Sequence, residues 1–421
     1  MEPSVRSLLV LLLLGTGPAC QEPRQPPSDD PALRTAVQQL GAEDPAARNR
    51  AEDALRRAGR AAESLLLEAK SHADPEVRLR ATRLLEAIER GRKRERLAHV
   101  ADPPILFLTP AVASIAVHRL DPRGGESTEL LKVGSALWEL QWGDLSARLA
   151  VYHQFEGLRV LPANAKISEI VTTQPVRSRR GLAWSPTGNA LLLVSDAIPG
   201  PAGGYNHDER THLHLYSFGA KELVLLTPKD QVHYDPTWSP DGTKIAFIRN
   251  DSLSSKNVDL YQMTVSPPGA PTRLTTDGAA KAEPAWSPDG RWIAFTWTDA
   301  PGLGLLAIDD AKAAPTRFAP KGHDPVWSPD STRLAFIRGS SGEGGNELRI
   351  VDRDGRNERV LAGGAGDKDR PSWSPDGKRL LFEGEKGGVS QIFVVNADGS
   401  GLRQLTTLKE GAAEPVWAPQ E

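Results

Sequence analysis

Five carboxylates recur at one place in this sequence, three residues ahead of a tryptophan: Glu139, Asp235, Glu283, Asp324 and Glu414. Arg370 and Gly181 hold the same place ahead of Trp373 and Trp184, and His233 and His323 flank the series. Repeated carboxylates brought to one centre have two uses. They can bind a hard divalent cation such as calcium or attract a positively charged partner. They can also accept backbone or serine hydrogen bonds between neighbouring repeats and simply fix geometry. Further polar groups cluster in "DAIPGPAGGYNHDERTH", residues 196–212, where Tyr205, His207, Asp208, Glu209 and His212 offer ligands or acid–base groups on a glycine-rich loop. His207, His212, His233 and His323 are the metal candidates, although the spacing in "HDERTHLH" matches no zinc motif. No G-x-S-x-G elbow, phosphate-binding loop or cysteine pair is present, which favours binding over catalysis and predicts no obligatory cofactor.

Charge narrows the partners. The 421 residues carry a formal net charge of -3 at pH 7, without the basic stripe that nucleic-acid binding requires. Arg177, Arg179 and Arg180 read as a solvated loop. At the N-terminus, Arg6 precedes the apolar run "LLVLLLLG", and small residues lead to Cys20, the one cysteine of the chain. Residues 1–19 therefore read as an export signal, its apolar run too short to span a bilayer. "GTGPAC" resembles a bacterial lipoprotein signal. That resemblance implies lipidation of Cys20, and Gln21 after it implies an outer-membrane anchor on the periplasmic side. Residues 20–30, polar and proline-rich, form a tether.

Two kinds of element must position the candidate groups. Residues 31–98 are rich in Ala, Leu, Arg and Glu and lack tryptophan, a helical signature. "DPAARNRAEDAL" at 44–55 returns as "DPEVRLRATRLL" at 74–85, pairing Asp44 with Asp74, Pro45 with Pro75, Arg48 with Arg78 and Ala51 with Ala81. Each Asp-Pro marks a helix start, Gly59 a helix end, and Leu55, Leu65, Leu66, Leu84, Leu85 and Ile88 the apolar faces. These residues resemble two HEAT-type repeats, which implies a partner-binding or spacer module.

From residue 101 the texture changes to short alternating strands broken by Gly, Pro, Asp and Asn. Trp142, Trp184, Trp238, Trp286, Trp327, Trp373 and Trp417 recur at intervals of 41 to 54 residues, the period of a four-stranded propeller blade. "WSPDG" at 238, 286 and 373, with "WSPTG" at 184 and "WSPDS" at 327, is a tight turn between two strands. Later strands close with a turn such as "NADGS" and end on Leu-Thr, as in "SQIFVVNADGSGLRQLTT". This alternation resembles the propeller repeats of the TolB family. Three strands before Trp142, "ILFL", "SIAVHRL" and "STELLKV", remain unassigned, and Trp417 lacks three. Joining them predicts an all-β seven-bladed propeller over 101–421 closed from both chain ends, with six blades as the alternative.

With the tryptophan strand of each repeat as a and the next three as b, c and d, the short a–b and c–d turns fall on one face and the long loops, with the candidate carboxylates, on the other. The leading expectation is a non-catalytic binding scaffold that holds an envelope protein or a cell-wall component there. The rival is a metal-dependent carbohydrate-active enzyme, because some propellers of similar repeat are polysaccharide lyases that use histidines and a divalent metal.

Overall fold

The computed structural model describes residues 30–98 and, between 103 and 418, all but 112–113, 135–136, 144–147, 154–156, 163–168, 173–180, 200–204, 229–230, 252–257, 309–313 and 340–344. Cys20, the expected export signal and all of the tether but Asp30 lie outside the described residues, as do Arg177, Arg179 and Arg180. The chain divides into two compact units, one reaching Glu89 and the other starting at Arg90.

The first unit is helical: α1 (Pro31–Gln39), α2 (Pro45–Ala58), a single 3-10 turn (Gly59–Ala62), α3 (Glu63–Ala69) and α4 (Pro75–Ala98) as far as Glu89. Both Asp-Pro pairs start helices. Asp44 accepts the N–H of Ala47 at 3.1 Å, and Asp74 that of Glu76 at 2.8 Å. The paired arginines do matching work, because Arg48 donates to the carbonyls of Ala42 and Glu43, and Arg78 to those of His72 and Ala73. Each guanidinium thereby ties down the turn ahead of its own helix. Leu40, Leu55, Leu66, Ala81 and Leu84 fill the core, with Leu85 and Ile88 packed at its margin. Gly59, at φ 53°, ends α2 in the left-handed region that glycine occupies without penalty.

The second unit is an all-β propeller of four-stranded antiparallel sheets. Six sheets use consecutive strands, their inner ones being Leu137–Gly143, Leu182–Trp184, Val232–Trp238, Lys281–Trp286, Gly322–Trp327 and Lys368–Trp373. A further sheet is composite: Ala413–Trp417 pairs with Ile105–Ala111, which continues into Ser114–Leu120 and Thr128–Gly134, and Ile105 lies opposite Trp417. From Leu137 to Trp417 each inner strand touches the next in sequence.

Local chemistry explains the repeat. In "WSPDG" at 238, Ser239 Oγ donates to Asp241 Oδ1 at 2.6 Å and accepts the Lys244 N–H at 2.9 Å, while Gly242 turns the chain at φ 70°. Ser287 with Asp289, Ser328 with Asp330, and Ser374 with Asp376 repeat the hydroxyl–carboxylate bond. The "WSPDS" variant puts Ser331 in the left-handed place at φ 60°, where its hydroxyl accepts the Asp289 N–H of the preceding sheet. The tryptophans join sheets. Trp238, Trp327, Trp373 and Trp417 donate Nε1–H to the carbonyls of Ala183, Ala285, Val326 and Ser372, each just before the tryptophan of the preceding sheet. Trp286 departs, donating to Gly290 in its own turn. The Leu-Thr ends are also explained, since Thr227, Thr275 and Thr406 accept the N–H groups of Leu213, Leu260 and Ile392.

Candidate functional site

The inner strands surround a cavity of about 740 Å³. Asp235, Glu283, Asp324, Arg370 and Glu414 all line it, together with His323 and Asp369. The repeated place ahead of the tryptophan is therefore a place in space. Its backbone explains how. Each of the five residues has positive φ, from 51° at Asp235 to 60° at Asp324, and a proline follows each of them. The pairing with the second strand of the sheet shifts at this point, between Tyr234 and Thr237, Ala282 and Ala285, His323 and Val326, and Asp369 and Ser372. One left-handed residue before a proline thus bulges each strand and breaks its two-residue alternation. Non-glycine residues pay for this conformation, and the surrounding packing holds them in it.

The carboxylates are tied to their neighbours. Asp235 accepts the N–H of Glu283 at 3.1 Å, and Glu283 accepts the N–H of Asp324 at 2.6 Å as well as the Thr296 hydroxyl at 2.8 Å. These two carboxylates each hold the backbone of the same position in the next sheet. Arg370 changes the pattern. Its N–H goes to Asp369 Oδ1 at 2.9 Å, and its guanidinium is paired with Glu414 and, through Nε at 3.3 Å, with Glu383. Glu383 also accepts the N–H of Glu414 at 2.6 Å. Burial pushes the Glu383 carboxyl above its ordinary pKa, against the opposing pull of the Glu414 N–H and the Arg370 charge. On the cavity wall the charged groups are five acids and Arg370, so positive potential is in the minority.

The described candidate histidines do not converge on the cavity. His323 lines the cavity, but His233 and His212 are fully buried, with ring centroids 6.3 Å apart and His233 set 5.6 Å from Phe247. Of His233, Tyr234 and Asp235, only Asp235 lines the cavity. The bulge after Tyr234 is the cause, since it turns Asp235 out of the alternation that would keep it beside His233. Tyr234 is half-buried, and burial with the adjacent Asp235 charge keeps its phenol protonated. Among the described residues no group of three or more His, Cys, Asp or Glu is arranged to hold a metal. Strand Tyr205–Ser217 includes Tyr205 and His207, whose side chains lie outside the described residues, as does that of Glu139 in Leu137–Gly143.

Glu383 and Asp369 escaped the sequence reading. Glu383 occupies the second-strand position that is Ile248, Thr296 and Ile337 in the corresponding sheets, each paired with the residue four before the tryptophan. A charge at a position otherwise apolar or hydroxylic was the available signal.

The fold and inner-strand site define a β-propeller with an acidic central cavity. Its repeats are TolB-like: residues 305–421 match the model of the TolB beta propeller domain, and residues 202–317 that of the dipeptidyl peptidase IV N-terminal region. An uncharacterised protein of Agrobacterium fabrum is 24% identical over 227 residues, covering 52% of this chain and 72% of that one. The Tol-Pal system protein TolB of Gluconobacter oxydans is 33% identical over 103 residues, covering 23% of this chain and 22% of the relative. The match thus spans about a fifth of that TolB protein's length. Among solved structures, an oligogalacturonate lyase from Vibrio parahaemolyticus superposes with a TM-score of 0.53 at 10% identity, over 69% of this chain and 91% of the lyase. At that identity the likeness is one of fold.

Proposed function

We propose that this chain is a non-catalytic binding scaffold of the cell envelope, whose central propeller cavity receives a positively charged segment of a protein or cell-wall partner. The observation that carries the reading is the convergence of Asp235, Glu283, Asp324, Asp369 and Glu414 on one cavity of about 740 Å³. A cavity lined by one sign of charge between low-dielectric walls concentrates the opposite charge. The similarity to Tol-Pal system proteins supports an envelope setting. The test uses amide isosteres. Asp235→Asn and Glu283→Gln retain an oxygen that can accept the neighbour's N–H but remove the charge. Capture of envelope components by the purified protein is expected to fall several-fold in the double variant. Capture unchanged by the double variant overturns the site.

The same proposal extends to the rest of the chain. Cys20 is the lipid attachment point at the periplasmic side of the outer membrane, the helical unit is a HEAT-like spacer, and the composite sheet acts as a seventh blade that closes the ring. Mass spectrometry of the mature N-terminus checks the anchor; a free, unmodified Cys20 counts against it.

A second reading is favoured by the lyase likeness alone, a manganese-bound oligogalacturonate lyase also superposing at a TM-score of 0.51. His207, His212, His233 and His323 were its candidates, and the burial of His212 and His233 away from the cavity weighs against it. Metal analysis of the purified protein and a uronic-acid substrate screen separate the two readings. Bound metal with turnover favours the lyase, and a metal-free, inert protein the scaffold.

A further inference from the structure

We propose that Arg370 is a built-in competitor for the cavity, its guanidinium occupying carboxylates that a cationic partner segment would otherwise engage. The inference rests on the scaffold reading and names what regulates its site. In four other sheets of the series the repeated position is acidic, at Asp235, Glu283, Asp324 and Glu414, and ahead of Trp184 it is Gly181. Arg370 shares their left-handed backbone, at φ 53°, and the proline that follows, yet carries the opposite charge. The substitution is one of chemistry within unchanged geometry.

What the arginine does follows from its partners. Asp235 and Glu283 each hold a backbone N–H of the next sheet. At Arg370 an ionic link to the next sheet is added: one fork of the guanidinium meets Glu414, while Nε meets Glu383 of the same sheet, the carboxylate that accepts the Glu414 N–H. The Glu383, Glu414 and Arg370 side chains are 13%, 16% and 22% exposed, so the pair forms where solvent screens it less than at an open surface. An incoming guanidinium or ammonium group meets a wall of five acids already offset by one resident cation. Removing that cation leaves five acids unopposed. The cavity then gains affinity for positive charge, and the gain needs no new contact with the partner.

The test measures binding of a fluorescent hexa-arginine peptide by anisotropy, with a hexa-glutamate peptide as control, at neutral pH. Arg370→Gln is expected to bind hexa-arginine about fivefold tighter than the unaltered protein. Arg370→Lys keeps the charge and loses the fork, so it falls between the two; it also serves if Arg370→Gln fails to fold by circular dichroism. Hexa-arginine affinity of Arg370→Gln within twofold of the unaltered protein, while Asp235→Asn with Glu283→Gln still weakens binding, overturns the competitor and leaves the scaffold standing. Absence of hexa-arginine binding by all variants overturns both.

Discussion

Asp235 combines a backbone at φ 51° with a carboxylate that accepts the Glu283 N–H at 3.1 Å, and the two properties can be separated by substitution. A left-handed non-glycine residue costs on the order of 1–3 kcal/mol, least for Asn and Asp, whose short polar side chains tolerate the region. Asp235→Asn keeps both the tolerance and an acceptor oxygen, and is expected to change stability by less than about 1 kcal/mol. Asp235→Val places a β-branched residue in the same backbone and leaves the Glu283 N–H without its acceptor, for a loss of about 3 kcal/mol or more. Urea unfolding midpoints of the two variants check the contrast. Equal losses would mean that the bulge does not depend on the residue that occupies it. The carboxylates were legible in the sequence as a series because their distance from the tryptophan is fixed. Their left-handed backbone was not, because Asp, Glu and Arg do not announce positive φ as glycine does.

At the scale of the element, the inter-sheet fasteners lie where local chemistry repeats. Trp373 donates to the Val326 carbonyl at 3.1 Å and carries the Arg333 guanidinium 5.1 Å from its ring centroid. Trp373→Phe keeps most of the buried ring and loses the N–H. The expected cost is about 1–2 kcal/mol, read from thermal or urea unfolding, because a buried carbonyl is left without its donor. A loss below about 0.3 kcal/mol would show that the ring's packing alone joins the sheets. Such elements could be read from sequence because each residue acts on its near neighbours: Ser239 on Asp241 and Lys244, Gly242 on its own φ. Glu383 could not. Its meaning depends on strand pairing that sets it beside Arg370 from another strand, and on the Glu414 N–H brought from the next sheet. The parting of Asp235 from His233 could not be read either, since it depends on a bulge in the strand pairing just after Tyr234.

For the whole molecule, the composite sheet gives the C-terminal strand a weight beyond its length. Ala413–Trp417 pairs with Ile105–Ala111, and the shared core contains Ile105, Phe107, Leu120, Leu381, Ile392, Val394 and Trp417. The strand also carries Glu414 to Arg370 and Trp417 Nε1 to the Ser372 carbonyl. Ending the chain after Glu410 would remove all of these at once and leave Ile105–Ala111 as an unpaired inner edge. Re-exposing even a few of the fully buried side chains costs about 1.5–3 kcal/mol each. The sum approaches the 5 to 15 kcal/mol or so that separates folded from unfolded states in a whole domain. The truncated chain is therefore expected to lose its cooperative thermal transition and to bind a hydrophobic dye at room temperature. The comparison that isolates the strand is Glu414→Gln in the full chain, which removes only the charge and should keep the transition. A truncated protein that unfolds within about 2 °C of the full chain would mean that the sheets hold together without the strand from the far end. The propeller would then owe its integrity to the six sheets built from consecutive strands.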